Sequence, residues 1–116
     1  MRPPPLEPVI HQPARLAVMA ALFRNREMSA ADLREGLGLT AGNLASHAAR
    51  LQDAGFVDAR HALVGVSFQA RYRITEEGAA AFRRYLAALR AWTEAFGPDA
   101  TADTSATTTS PSDGAR

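Results

Sequence analysis

The sequence predicts a small, mainly α-helical domain with one β-hairpin and a long C-terminal helix. Three observations carry that reading. Alanine, the best helix former, supplies 25 residues of a hydrophobic class that makes up 47% of the chain. Apolar residues recur at three- and four-residue spacing in successive stretches, each with a recognisable end. After Gly55 the apolar period drops to two, and after Thr75 it returns to helical spacing.

Residues 1–8 (MRPPPLEP) are proline-rich and are expected to be an extended segment ahead of the domain. The folded domain is read as 9–96. Pro13 suits a first helical position, where its missing N–H costs nothing. Leu16, Met19, Leu22 and Phe23 then form an apolar stripe, so helix 1 is placed near 13–24, ended by Asn25-Arg26. Glu27-Met28 fits a very short strand. Ser29 with Asp32 three residues on resembles a capping box, and Gly38 supplies a left-handed stop, so helix 2 spans about 30–37. Thr40 opens helix 3, near 41–54, with Leu44, Ala48 and Leu51 on its inner face and Gly55-Phe56 closing it.

Val57 and Ala59 alternate with Asp58 and Arg60, as do Tyr72 and Ile74 with Arg71 and Arg73. These predict a hairpin over 57–74, with 62–69 as a long loop at its tip. Thr75 is the N-cap of helix 4, and Glu76 and Glu77 favour the positive end of its dipole. That helix runs over 75–96 with Phe82, Tyr85, Leu86, Leu89, Trp92 and Phe96 along one stripe, and Gly97-Pro98 ends it. No large apolar residue follows Phe96, so 97–116 is expected to be a disordered tail.

The composition removes several functions. The absence of cysteine excludes disulfides, thiolate metal sites and cysteine nucleophiles, and fits a cytoplasmic protein. No apolar run approaches the ~20 residues of a membrane span, and the N-terminus lacks the pattern of a signal peptide. No nucleophile–base pair, phosphate loop or metal set is present, so neither catalysis nor a cofactor is expected. His11 and His61 have no partner at a metal-ligand spacing.

The net charge of +1 conceals a division. Residues 1–96 carry 12 arginines against 9 acids, or +3, and 97–116 carry −2. Every basic side chain is arginine, which forks two donors onto a phosphate or a guanine edge; a GC-rich genome would also favour arginine over lysine.

Two helices joined by Gly38-Leu39-Thr40 and followed by a hairpin form the winged helix-turn-helix order. In that arrangement helices 1 and 2 support helix 3, whose free face would enter a major groove. The face carries Thr40, Asn43, Ser46, His47 and Arg50, and the hairpin adds Arg60, His61, Gln69, Arg71 and Arg73. His47 fits equally well as a structural residue at the base of helix 3. Arg50, late in the helix, suits a phosphate clamp better than a base reader. Arg71 and Arg73 alternate as a solvated strand face also would.

The stretches VIHQPARLAVMAAL, MSAADLREGLGLTAGNLASHAARLQDAGFV and ARYRITEEGAAAFRRYLAAL resemble small winged-helix transcriptional regulators related to the MarR and ArsR groups. The likeness spans about 9–92. It is most specific in LTAGNLASHAARLQDAGFV, where Gly42, Asn43, Leu44, His47, Leu51, Ala54, Gly55, Phe56 and Val57 fit the family pattern. It implies a DNA-binding dimer that represses or activates transcription. It also implies DNA contacts at Thr40, Asn43, Ser46, His47 and Arg50, and wing contacts at Arg60 and Arg71. The sequence departs from the pattern at Ala48, where leucine is usual, and at Ala70, where threonine is common. The tip Leu63–Phe68 is more apolar than a phosphate contact requires, and the metal-sensing cysteines of the ArsR group are missing.

Twenty helical residues span about 30 Å, and the stripe of helix 4 holds more large apolar groups than a lone exposed helix tolerates. Phe82, Tyr85, Leu86, Leu89, Trp92 and Phe96 are therefore read as a homodimer interface, with coverage of helix 1 in the same chain as the alternative. The expected partner is double-stranded DNA carrying a palindromic operator, with half-sites about one helical turn apart. A protein–protein module using the same face or the apolar tip is the competing function. A third reading adds a small apolar effector in a cleft between helices 1 and 4, near Tyr85 and Trp92.

Overall fold

The computed structural model describes residues 2–107, with their side chains as far as residue 97. In chain order the elements are α1 (Pro13–Asn25), β1 (Glu27–Ser29), α2 (Ala30–Leu37), α3 (Ala41–Asp53), β2 (Val57–Val64), β3 (Ser67–Ile74) and α4 (Glu76–Thr107). Two units divide the chain: Leu6–Tyr85, and a second formed by the residues through Pro5 with those from Leu86 onward. The division falls inside α4, whereas the sequence reading carries one domain through 96.

The expected caps account for the short helices. Ser29 Oγ accepts from the Asp32 N–H at 3.0 Å, and Thr40 Oγ1 accepts from the Asn43 N–H at 3.1 Å. Each satisfies a donor that the first turn leaves unpaired. Gln12 plays this part for α1, accepting from the Arg15 N–H at 2.7 Å. Gly38 takes φ 68° at the end of α2, as expected of a left-handed stop. The chain leaves α1 through Arg26, whose φ of 73° and ψ of −52° are strained for a residue with a Cβ.

The sheet is three-stranded and antiparallel, in the order β1-β3-β2. Glu27 lies opposite Arg73 and Ser29 opposite Arg71; on the other side Asp58 lies opposite Arg73 and Arg60 opposite Arg71. The hairpin corrects the expected loop over 62–69. Pairing continues to Leu63–Phe68 and Val64–Ser67, so Gly65 and Val66 alone make the turn. Gly65 has φ 65°, a conformation that glycine adopts readily and that tight hairpins use.

The core of the Leu6–Tyr85 unit takes Ile10, Val18, Met19 and Leu22 from the α1 region, Leu33 from α2, and Leu44, Ala48 and Leu51 from α3. Phe56 closes it from the turn after α3, Val57, Tyr72 and Ile74 from the sheet, and Phe82 and Tyr85 from α4. This corrects part of the expected dimer stripe. Phe82 and Tyr85 are buried within their own chain: the Phe82 ring lies 4.9 Å from that of Phe23 and 6.3 Å from that of Tyr85. The Tyr85 hydroxyl hydrogen-bonds His11 Nδ1 at 2.8 Å. The alternative reading, coverage of helix 1, holds for these two side chains. Burial also pushes the Tyr85 phenol up from its ordinary pKa.

The N-terminus of α4 docks on the turn after α3. The Thr75 N–H donates to the Phe56 carbonyl at 3.0 Å. The Thr75 hydroxyl donates to the Gly55 carbonyl at 2.7 Å and accepts from the Gly78 N–H at 2.8 Å.

In the second unit the Trp92 indole N–H donates to the Pro4 carbonyl at 2.8 Å, and the Trp92 and Phe96 rings stack at 6.0 Å. The helical path breaks at Gly97, φ 76°, and resumes as far as Thr107. Of the expected disordered tail, 97–116, residues 108–116 lie outside the described residues.

Candidate nucleic-acid interface

The buried stripe Leu44, Ala48 and Leu51 holds α3 to the core, which turns the rest of that helix outward. Asn43, Ser46 and Arg50 are exposed there, as expected, and so are Ala41, Gly42, Ala45 and Ala49. The small residues were missed as functional candidates. Without long side chains they would let the helix backbone approach a groove wall closely, and Asn43, Ser46 and Arg50 carry exposed donors and acceptors beside them. Asp53 lies four residues beyond Ala49 on the same exposed side, a negative charge at the C-terminal limit of this face.

Two of the predicted contact residues already have partners in the protein. The Thr40 hydroxyl caps α3, which occupies one of its two acceptor lone pairs. His47 is half-buried, with Nδ1 3.5 Å from Arg15 Nη1. A guanidinium only donates, so any hydrogen bond across this contact runs from Arg15 to the ring nitrogen. Arg15 is itself fixed, its Nε donating to the Val9 carbonyl at 2.6 Å. Arg15 thus joins the flank of α3 that holds His47. Sequence spacing could not reveal it, because the contact joins residues 32 positions apart.

Register puts Glu27, Asp58, Arg60, Arg71 and Arg73 on one face of the sheet, since directly opposed residues share a face and alternate residues repeat it. The expected wing residues meet an acid there. Glu27 Oε2 accepts from Arg71 Nε at 2.6 Å and from Arg60 Nη2 at 3.1 Å. Arg73 Nη2 stands 3.8 Å from Asp58 Oδ2. The hydrogen bond from Arg71, with the positive charges of both arginines, holds the Glu27 carboxyl below the usual carboxylate range. The alternation of charge on β2 and β3 was legible in the sequence; the third strand that brings Glu27 alongside was legible only as a short apolar-polar fragment.

On the opposite face Leu63 and Phe68 pair across the strands and are exposed, and Val66 at the turn is 100% exposed. On the C-terminal stripe Leu86 is 44% and Phe96 64% exposed, while Leu89 and Trp92 are half-buried. Among the described residues no group of three or more histidines or acids could hold a metal ion. No helix of the described residues is long and apolar enough to cross a membrane.

The uncharacterized protein MJ0432 of Methanocaldococcus jannaschii is 28% identical over 78 residues, 67% of this chain and 85% of its own length. Among solved structures, a transcriptional regulator homologue from Pyrococcus horikoshii OT3 superposes with a TM-score of 0.67 at 29% identity, over 72% of this chain and 82% of that one. The transcriptional regulator HlyU from Vibrio vulnificus CMCP6 does so with a TM-score of 0.54 at 25% identity, over 68% and 78%. Residues 14–93, from α1 through the paired strands into α4, match the family model of the winged helix DNA-binding domain, and the chain belongs to that family.

Proposed function

We propose that the protein is a sequence-specific transcriptional regulator that binds double-stranded DNA as a homodimer. Each subunit lays α3 in a major groove and sets the 57–74 hairpin against the flanking backbone. The observation that carries this reading is the outward face of α3, small at Ala41, Gly42, Ala45 and Ala49 and polar at Asn43, Ser46 and Arg50. Its likeness to the regulators from Pyrococcus and Vibrio supports the regulatory role, and such a role belongs in the cytoplasm. The exposed Leu86 and Phe96, with the half-buried Leu89 and Trp92, are the residues of the C-terminal stripe left for a second subunit. Exposed apolar groups at helical spacing favour self-association by an isologous contact.

Selection of bound duplexes from a random pool tests the reading. The expected outcome is an enriched inverted repeat with half-sites about one helical turn apart. Failure to enrich any sequence, with no duplex retained at low salt, would overturn it. A second reading has its own observation: Leu63, Val66 and Phe68 at the hairpin tip suit a protein partner. Retention of a protein in a salt-insensitive complex, with no duplex retained, is the result that would favour that reading.

A further inference from the structure

The acid beneath the wing arginines is unexpected in a DNA-binding surface. Arg60 and Arg71 are the hairpin side chains that the family resemblance assigns to DNA contact, yet both guanidinium groups converge on a single carboxylate oxygen, Glu27 Oε2. A carboxylate and a phosphate oxygen make the same demand on arginine, a short charge-assisted N–H···O bond. Glu27 reaches this position from β1, immediately after the strained turn at Arg26. The strand pairing fixes its direction, because Glu27 lies opposite Arg73 with Arg71 two residues along. The three side chains remain open to solvent, at 24% exposure for Glu27, 35% for Arg71 and 71% for Arg60. An open cavity of about 270 Å³ lies against them and is completed by Asp58, Ala59 and Arg73. A phosphate oxygen can therefore approach the guanidinium groups without any rearrangement of the core.

We propose that Glu27 is an internal counter-ion that holds Arg60 and Arg71 in place of a DNA phosphate, so that the wing takes hold of DNA by exchanging this carboxylate for a backbone phosphate. The inference rests on the DNA-binding reading above. Glu27 is a positioning residue in this scheme. It keeps both guanidinium groups aimed at one point, and it makes each wing–phosphate contact a substitution rather than a gain. Weak, misregistered encounters with arbitrary DNA do not displace it, while docking of α3 on its own sequence brings a phosphate close enough to do so. The acid thereby lowers sequence-independent affinity more than cognate affinity.

The test is the salt dependence of binding to a random-sequence duplex, read by fluorescence anisotropy, for wild type, Glu27→Gln and Glu94→Gln. Glu94 is an exposed acid on α4 outside the wing network and controls for the change in net charge. Each phosphate contact contributes about −0.9 to the slope of log affinity against log salt, which is a further loss of about 3.5-fold between 50 and 200 mM. Glu27→Gln is expected to steepen the slope by one or two such contacts and to tighten low-salt binding several-fold. Glu94→Gln leaves the slope as in wild type. In addition, Arg71→Ala is expected to weaken binding little in wild type and several-fold in the Glu27→Gln background. Equal slopes for the two glutamine variants, or an equal cost of Arg71→Ala in both backgrounds, would overturn the proposal while leaving DNA binding intact. A wild type with no salt-dependent duplex binding at all would remove both. Circular dichroism of each variant guards against unfolding, and the Arg71→Ala comparison stands even if one glutamine variant folds poorly.

Discussion

Gly78 sits in the first turns of α4 with nothing unusual in its φ, so helix propensity alone says that alanine would stabilise it by about 0.5–1 kcal/mol. The packing says the opposite. A Cβ at that position would lie 2.0 Å from the Phe56 carbonyl oxygen, 2.8 Å from its carbon and 2.9 Å from the Phe56 Cα. All three are backbone atoms, which cannot step aside as a flexible side-chain end can. Contact at about 3.5 Å requires α4 or the 55–56 turn to move by more than about 1 Å. That motion strains the Thr75 N–H to Phe56 carbonyl bond and the Thr75 hydroxyl to Gly55 carbonyl bond, each worth about 1 kcal/mol. Overpacking adds about 1–3 kcal/mol. Less the propensity gain, Gly78→Ala is expected to cost about 2–4 kcal/mol, a large share of a typical 5–15 kcal/mol. For a unit of this size that corresponds to a fall in Tm of roughly 10 °C or more. Thermal melting by circular dichroism measures it. Gly42→Ala is the companion variant: a methyl group there would meet no atom within 4 Å, and its Tm should hold or rise. A Gly78→Ala protein melting within about 2 °C of wild type, or above it, would refute the close approach.

The two ends of the C-terminal stripe should behave differently. Phe82→Ala empties a core position and is expected to cost about 3–5 kcal/mol in urea unfolding. Phe96→Ala should leave the unfolding of the Leu6–Tyr85 unit unchanged but shift light-scattering mass toward the monomer at low concentration. The Glu27 pair has a definite sign with pH. Its folded-state pKa lies below the unfolded value, so its stabilisation is complete above about pH 4.3. It is lost as pH falls through the lowered value. The difference in Tm between wild type and Glu27→Gln should therefore be present at pH 7 and shrink by pH 3.

What the sequence made legible was local chemistry. Ser29, Thr40 and Thr75 each cap the helix that their side chains and spacing announce, and Gly38 and Gly55 both take positive φ. The apolar stripe of α3 fixed which of its faces turns outward, and most of the candidate site followed from that. What failed needed partners distant in the chain. Gly65 reads as a loop residue unless the pairing of Leu63 with Phe68 is known, and that pairing is what shortens the tip to two residues. Phe82 and Tyr85 carry the same helical periodicity whether they face Phe23 and His11 or another subunit. Spacing along α4 has no information on which. Glu27 and Arg71 are 44 residues apart, and only the strand order β1-β3-β2 reveals that the two wing arginines share an acid.

The claim that most needs testing is that the outward face of α3 meets DNA. The direct measurement is the slope of log affinity against log salt for the enriched duplex, in wild type and in Arg50→Ala. A steep negative slope in wild type, made shallower by about 0.9 per Arg50–phosphate contact removed, is the predicted result. A wild-type slope near zero, or a slope that Arg50→Ala leaves unchanged, would contradict it.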